Sequence, residues 1–257
     1  MPWDNPDDMP QWAKDAANRP TAPPSNVEME ALLRDPPKPP SSSPKGTTLY
    51  LFGQCIDDRC AQILARSLMN GDWREITYLN LDQNLITGPG MLAIGSALAN
   101  GACPLLSVVN LSNNKFGDAG AIALAAGLAG TPKMEQMSLS ETEIGPAGFT
   151  ALMGAAQAGK IRELRYMYLN QNQFGDAGMQ AFVDALASGN LPVFEMTYMN
   201  GSMVGDEGCL ALANAIEEGH LDHVRQIYMM QISASRDGFE VVQDVIKEYD
   251  KKTRVFF

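Results

Sequence analysis

The feature that most constrains this chain is a period. Aligned on one apolar position, the sequence repeats at Leu51, Leu81, Leu111, Leu139, Leu169, Met199 and Met229, with spacings of 30, 30, 28, 30, 30 and 30 residues. Around each anchor the text follows L-x-x-L-x-L-x-x-N, most clearly from Leu106 to Asn114 and from Leu164 to Asn172. A unit this short cannot enclose a core. It must bury its apolar edge against neighbours of the same kind, which predicts a stacked solenoid.

Each half of the unit has its own grammar. Alternate residues of a strand point to opposite faces, so Leu79 and Leu81, or Val109 and Leu111, face inward and their neighbours outward. Asn84, Asn114 and Asn172 stand where the chain leaves the strand, and their amides are expected to satisfy backbone groups left unpaired by the turn. A turn such as Gly117-Asp-Ala-Gly120 or Gly175-Asp-Ala-Gly178 then opens a segment of helical periodicity. Asp58, Asp118, Asp176 and Asp206 share one register and suit helix N-caps, with Pro146 in their place in a further copy. Small residues recur on the helices at Ala123, Gly127, Ala181, Ala185, Ala211 and Ala215. They are read as the strand-facing side, letting each helix lie close to the sheet.

These residues resemble the ribonuclease-inhibitor-like class of leucine-rich repeats, whose turn is similar to Asn114-Lys-Phe-Gly-Asp-Ala-Gly120 here. The resemblance extends to Ran GTPase-activating and immune-receptor repeat domains, and covers about residues 47 to 250. It implies an α/β horseshoe or arc of about seven units, with a parallel sheet inside and helices outside, and it fixes shape far better than task. Gln54, Thr142, Ser202 and Ile232 replace the turn Asn, and Thr197 replaces a core Leu, so the first, fourth, sixth and seventh units are expected to be less regular. A final helix from about Asp237 to Lys251, with Val255, Phe256 and Phe257 folding back over it, is expected to cap the last unit.

Residues 1–46 read as a separate Pro-rich tail ahead of a repeat domain at 47–257. They hold 11 of the 16 prolines, a composition that cannot build its own core. Two short helices are expected within them, about Met9 to Asn18 and Asn26 to Arg34, the second with Met29, Leu32 and Leu33 on one face. Trp3 and Trp12 are costly to expose and suit anchors on a partner or on the solenoid itself.

Function is sought on the outward strand positions. The position between the two core residues holds Tyr50, Asn80, Asn110, Ser138, Tyr168, Tyr198 and Tyr228. Parallel strands lie about 4.8 Å apart, so Tyr168, Tyr198 and Tyr228 should form a ladder flanked by Tyr166, Met196 and Met230. Such a patch suits a protein partner within a larger assembly.

A net charge of −11 disfavours nucleic acid. The sequence shows no secretory or transit signal and no membrane-spanning run, which leaves the cytoplasm as the expected compartment. Cys55, Cys60, Cys103 and Cys209 have neither paired nor zinc-like spacing. His220 and His223 lack a third ligand, and no nucleophile has a base partner. No enzyme activity, metal or cofactor is therefore expected. Two other roles fit the fold: regulation of a small GTPase, with Arg165 or Arg225 on a rim, and inhibition or sensing of a basic protein.

Overall fold

The computed structural model describes residues 20–37, 46–249 and 253–257. Its elements run in the order α1 (Asn26–Arg34), β1 (Thr47–Tyr50), α2 (Asp58–Asn70), β2 (Ile76–Asn80), α3 (Gly88–Ala99), β3 (Val108–Asn110), α4 (Gly117–Gly127), β4 (Gln136–Ser138), α5 (Pro146–Gln157), β5 (Tyr166–Tyr168), α6 (Gly175–Ala187), β6 (Met196–Tyr198), α7 (Asp206–Glu217), β7 (Gln226–Tyr228), α8 (Arg236–Glu248) and β8 (Arg254–Phe256). A short 3-10 turn, Leu128–Gly130, extends α4. All eight strands form one parallel sheet in chain order. The sequence register becomes a spatial one, since Leu79, Val109, Met137, Met167, Thr197, Ile227 and Val255 align strand to strand.

One step further along, Leu81, Leu111, Leu139 and Leu169 continue the ladder, the amides of the last three donating to Ser138, Tyr168 and Tyr198 and that of Leu81 to Asn110. All four are buried. The seam they form with Ile56, Leu64, Phe149, Phe182 and Leu212 is continuous along the array, and apolar burial of this extent is the main stabilising term.

The turn asparagines work across unit boundaries. Asn114 donates to Leu111 O of its own unit and Leu81 O of the preceding one, each at 2.9 Å, and accepts from Ile86 N. Asn172 and Asn84 repeat this with Leu169 and Leu139, and with Leu81 and Leu51. Where Thr142 stands in for Asn, its hydroxyl lies 2.8 Å from Leu139 O and 3.1 Å from Asn172 Oδ1, with one proton to give to either. The sixth unit is less well served. Thr197 and Ser202 are buried, and neither hydroxyl has a partner among the described residues.

The aspartates that share this register correct the expectation set by their position. Each caps the helix of the next unit, not its own. Asp118 Oδ1 accepts from Gly145 N and Gly148 N at 2.7 and 2.8 Å, at the start of α5. Asp58 does the same for Thr87 N and Gly90 N, Asp176 for Gly205 N and Gly208 N, and Asp206 for Ser235 N. Neighbouring helices run parallel, so a carboxylate in one first turn lies beside the free N–H groups of the next. The glycine two or three positions into the capped helix makes room for it: a Cβ on Gly148 would stand 2.6 Å from Asp118 Oδ1.

The small helical residues also have a different role from the one read in the sequence. They set helix–helix spacing. A Cβ on Gly95 would meet the Ala123 carbonyl at 2.3 Å and one on Gly127 the Gly95 carbonyl at 2.8 Å, whereas Leu124 and Leu128 supply the buried, sheet-facing side.

Both ends of the array depart from the repeat. Helix α1 has the expected bounds, with Ser25 and Glu28 forming a capping box. Met29 and Leu33 join the core and Leu32 packs beside it, covering the first unit. At the other end Val255, Phe256 and Phe257 fold back as expected, Phe257 lying 4.7 Å from Phe239 of α8, and they do so as an eighth strand, with Arg254 N donating to Arg225 O and Phe256 O accepting from Met229 N. Thr253, buried, holds the approach with its hydroxyl 2.9 Å from Val224 O and 3.0 Å from Leu221 O, either of which can accept its proton. The expected tail helix at Met9 to Asn18 lies outside the described residues.

Two substitutions test this account by urea unfolding. Asp118→Ala leaves the first turn of α5 uncapped and is expected to cost about 1–2 kcal/mol. Thr197→Val keeps the side-chain shape, removes an unpaired buried hydroxyl and is expected to raise stability by about 1 kcal/mol; a loss of stability would show that the hydroxyl is bonded.

Candidate protein-binding face

The strand register forces one outward residue per unit into a single column, and in the last four strands that residue is aromatic. Tyr168 and Tyr198 stack with centroids 5.3 Å apart and planes at 10°, and Tyr198 and Tyr228 at 4.3 Å and 2°. Phe256 continues the row on Tyr228 at 4.5 Å and 9°. This fourth ring was missed by sequence reasoning because no repeat text surrounds it. The only signal was the alternation Val255 inward, Phe256 outward at the end of a run that follows a helix. Each stacked pair contributes roughly 0.5–1.5 kcal/mol beyond its area, so the ladder also stiffens the sheet that carries it.

The flanks differ. Tyr166 and Met196, half-buried, lie side by side in the preceding column, with Met230 on the other side 44% exposed. Asn170 and Asn200, which complete that column, are committed to structure. Asn170 Oδ1 accepts from Asn200 N at 3.1 Å, and Asn200 Oδ1 from Met230 N at 2.8 Å. The structure thus brings Tyr166, Tyr168, Met196, Tyr198, Tyr228 and Met230 onto one face, as the sequence predicts. Trp3 and Trp12 lie outside the described residues.

In the middle units the same column is polar and locally bonded. Asn80 donates to Tyr78 Oη and accepts from Asp82 N, Asn110 accepts from Ser112 N, and Asn113 donates to Asp82 at 2.9 Å. The sheet face is therefore divided into a self-satisfied polar half and an aromatic half. At the far end Tyr50 and Phe52 are 6.0 Å apart.

Charge on the rim is paired. Glu195, mostly buried, holds Arg165 on one side and Arg225 at 3.4 Å on the other. Hydrogen bonding by Tyr166 and the Glu195 carboxylate keep the Arg165 guanidinium more strongly protonated than usual. His220 faces Glu218 at 3.4 Å, the Nε2 of His223 is buried without a partner among the described residues, and no group of three His, Cys, Asp or Glu among them is placed to hold a metal ion. Burial pushes the thiols of Cys60, Cys103 and Cys209 up to about 11. Such thiols are poor nucleophiles at neutral pH. A cleft of about 670 Å³ between α1 and α2, lined in part by Arg34, Arg66 and Trp73, lies at the opposite end of the array from the aromatic face.

A sequence profile described as "Leucine Rich repeat" matches residues 102–125 and 162–183, and the strand–turn–helix unit on the page is the unit that profile describes. The fold is that of a leucine-rich-repeat solenoid. No curated protein sequence matches it. Solved structures similar to this leucine-rich-repeat chain include leiomodin-1 actin-binding site 2, at 14% identity over 71% of this chain and 85% of that one, with a TM-score of 0.42. A Bacteroides fragilis protein is similar at 14% identity, 76% and 60% coverage and a TM-score of 0.45. TLR13 in complex with ssRNA13 is similar at 15% identity, 82% and 35% coverage and 0.35. At these scores none of the three carries an argument about function. No helix among the described residues is long and apolar enough to cross a membrane.

Two measurements check the surface chemistry. Alkylation of the folded protein at neutral pH is expected to label Cys55, the one cysteine of the four that is not buried, and to spare the others. The phenols of Tyr168 and Tyr198 are raised by burial, and further by neighbouring tyrosines. A raised phenol favours the neutral folded form, so its contribution is intact below about pH 10 and is lost as pH climbs through the higher folded value. Stability measured from pH 9 upward should fall, and the fall should be smaller in Tyr168→Phe/Tyr198→Phe.

Proposed function

We propose that this leucine-rich-repeat protein is a non-catalytic interaction or scaffold subunit that binds a protein partner through the aromatic half of its sheet. The observation carrying this reading is the four-ring ladder from Tyr168 to Phe256, flanked by Tyr166, Met196 and the exposed Met230. It is a contiguous, rigid, amphipathic surface whose rings lose little entropy on binding. Aromatic anchors of this kind contribute roughly 2 kcal/mol each at interfaces. The polar half bonds to itself and supplies no comparable anchor. In this reading the Pro-rich segment 1–46, with Trp3 and Trp12, is a second contact on the same assembly, and the complex is cytoplasmic.

The acidic character of the chain favours one other reading, capture of a basic protein by charge. GTPase regulation would rest on Arg165 or Arg225, which flank Glu195 on the rim, and has no further feature behind it.

Affinity purification with mass spectrometry separates these readings. The intact chain, a chain lacking residues 1–46 and Tyr168→Ala/Tyr198→Ala/Tyr228→Ala are compared at low and high salt. The ladder reading expects a partner lost with the tyrosines and retained in salt; charge capture expects the reverse. Equal recovery of the same partners by all three proteins removes both proposed surfaces. Circular dichroism on the triple variant guards against loss through unfolding.

A further inference from the structure

The helices on the outer side of the arc are not alike. On α2, α6, α7 and α8 the solvent face carries charge, for example Arg59 and Arg66, Asp184, Glu207 and Glu217, or Glu240 and Lys247. Helices α3, α4 and α5 carry a single charged side chain, Asp118, and its carboxylate is spent on capping α5. Their exposed positions are uncharged and polar only at Ser96, Thr150 and Gln157, and among them Leu92 is 65% exposed and Ile122, one unit on in the same register, 48% exposed. Thr150 and Gly154 hold the corresponding outer positions of α5 and are also exposed. The result is a face that is bulky over α3 and α4 and shallow over α5.

We infer that this outer face of α3, α4 and α5 is where a second copy of the chain docks. Two observations select a copy of itself. The chain carries a formal charge of −11, so two molecules repel over most of their surfaces and can approach at the lowest electrostatic cost where charge is absent. The relief is also self-complementary. A twofold axis lying in the interface along α4 sets α3 of one molecule against α5 of the other. Leu92 then enters the shallow region at Thr150 and Gly154, and the two Ile122 side chains meet beside the axis, as an isologous contact requires.

The size of the face sets the strength. Helices of 11 or 12 residues are about 17 Å long. Three at spacings of roughly 9 Å offer about 450 Å² per molecule, so the pair buries close to the ~1,000 Å² expected of the smallest specific interfaces. An interface of that size belongs with weak, reversible contacts, distinct from any complex made through the tyrosine ladder on the opposite side of the arc.

Sedimentation equilibrium of the full chain over about 1–200 μM tests this. The wild type is expected to dimerise, Leu92→Glu/Ile122→Glu to weaken the association by roughly tenfold or more with unchanged circular dichroism, and Leu210→Glu on α7 to leave it intact. Ala126→Cys on α4 is expected to cross-link to itself on mild oxidation, in a background with Cys55→Ser. A wild type that stays monomeric across the range overturns the proposal, as does a dimer unaffected by the two glutamates. A dimer lost when residues 1–19 are removed, but not in the double variant, assigns the contact to that segment instead.

Discussion

Every unit of this molecule depends on hydrogen bonds made across its boundary with the next. A parallel strand followed by a turn strands backbone carbonyls and amides in an apolar seam, where each unpaired group costs on the order of 1–3 kcal/mol. The buried amides of Asn84, Asn114 and Asn172 answer this by joining consecutive units at once. The Asp carboxylates do the same for helix N-termini. Because donor and acceptor belong to different units, neither is satisfied until both have folded, and the array acquires cooperativity from polar contacts as well as from its core. The sixth unit, with the hydroxyls of Thr197 and Ser202 unpaired among the described residues, shows what substitution of that scheme leaves behind.

The same register that satisfies the backbone builds the candidate surface. An outward residue in one unit is held within stacking distance of its counterpart in the next. A column of tyrosines becomes a ladder without any loop having to place it, and the rings inherit the rigidity of the sheet. The flanking asparagines close their own backbone bonds, leaving ring edges, methionine side chains and phenol groups as the chemistry on offer.

Much of this was legible in the sequence, because period and alternation are local patterns with a single spatial meaning. The strand anchors, the role of the turn asparagines, the bounds of α1 and the tyrosine column all follow from register alone. What was not legible depends on which neighbour a side chain meets. Asp118 has the sequence position of an N-cap for its own helix, and only the parallel packing of α4 and α5 shows that its partners lie some thirty residues ahead. Gly127 reads as strand-facing until a backbone is present to show that it meets the Gly95 carbonyl of the neighbouring helix. The last strand lacked the repeat text, so Val255 and Phe256 could be recognised as inward and outward residues only once Ile227 and Tyr228 lay beside them.

The aspartate register is interrupted twice, by Gly88 and by Pro146, so α4 and α6 begin without a carboxylate from the unit before. At those two joints stand Phe116 and Phe174, both buried, the latter stacked on Phe149 at 4.5 Å. There the helix layer is joined by apolar packing, while the turn beneath it keeps the hydrogen bonds of Asn114 and Asn172 to the preceding unit. The joint between α5 and α6 lies immediately before Tyr168, and those beyond it are clasped by Asp176 and Asp206. The aromatic rungs accordingly sit on units whose helices are tied to one another by carboxylates, and to the polar half by stacked phenyl rings instead.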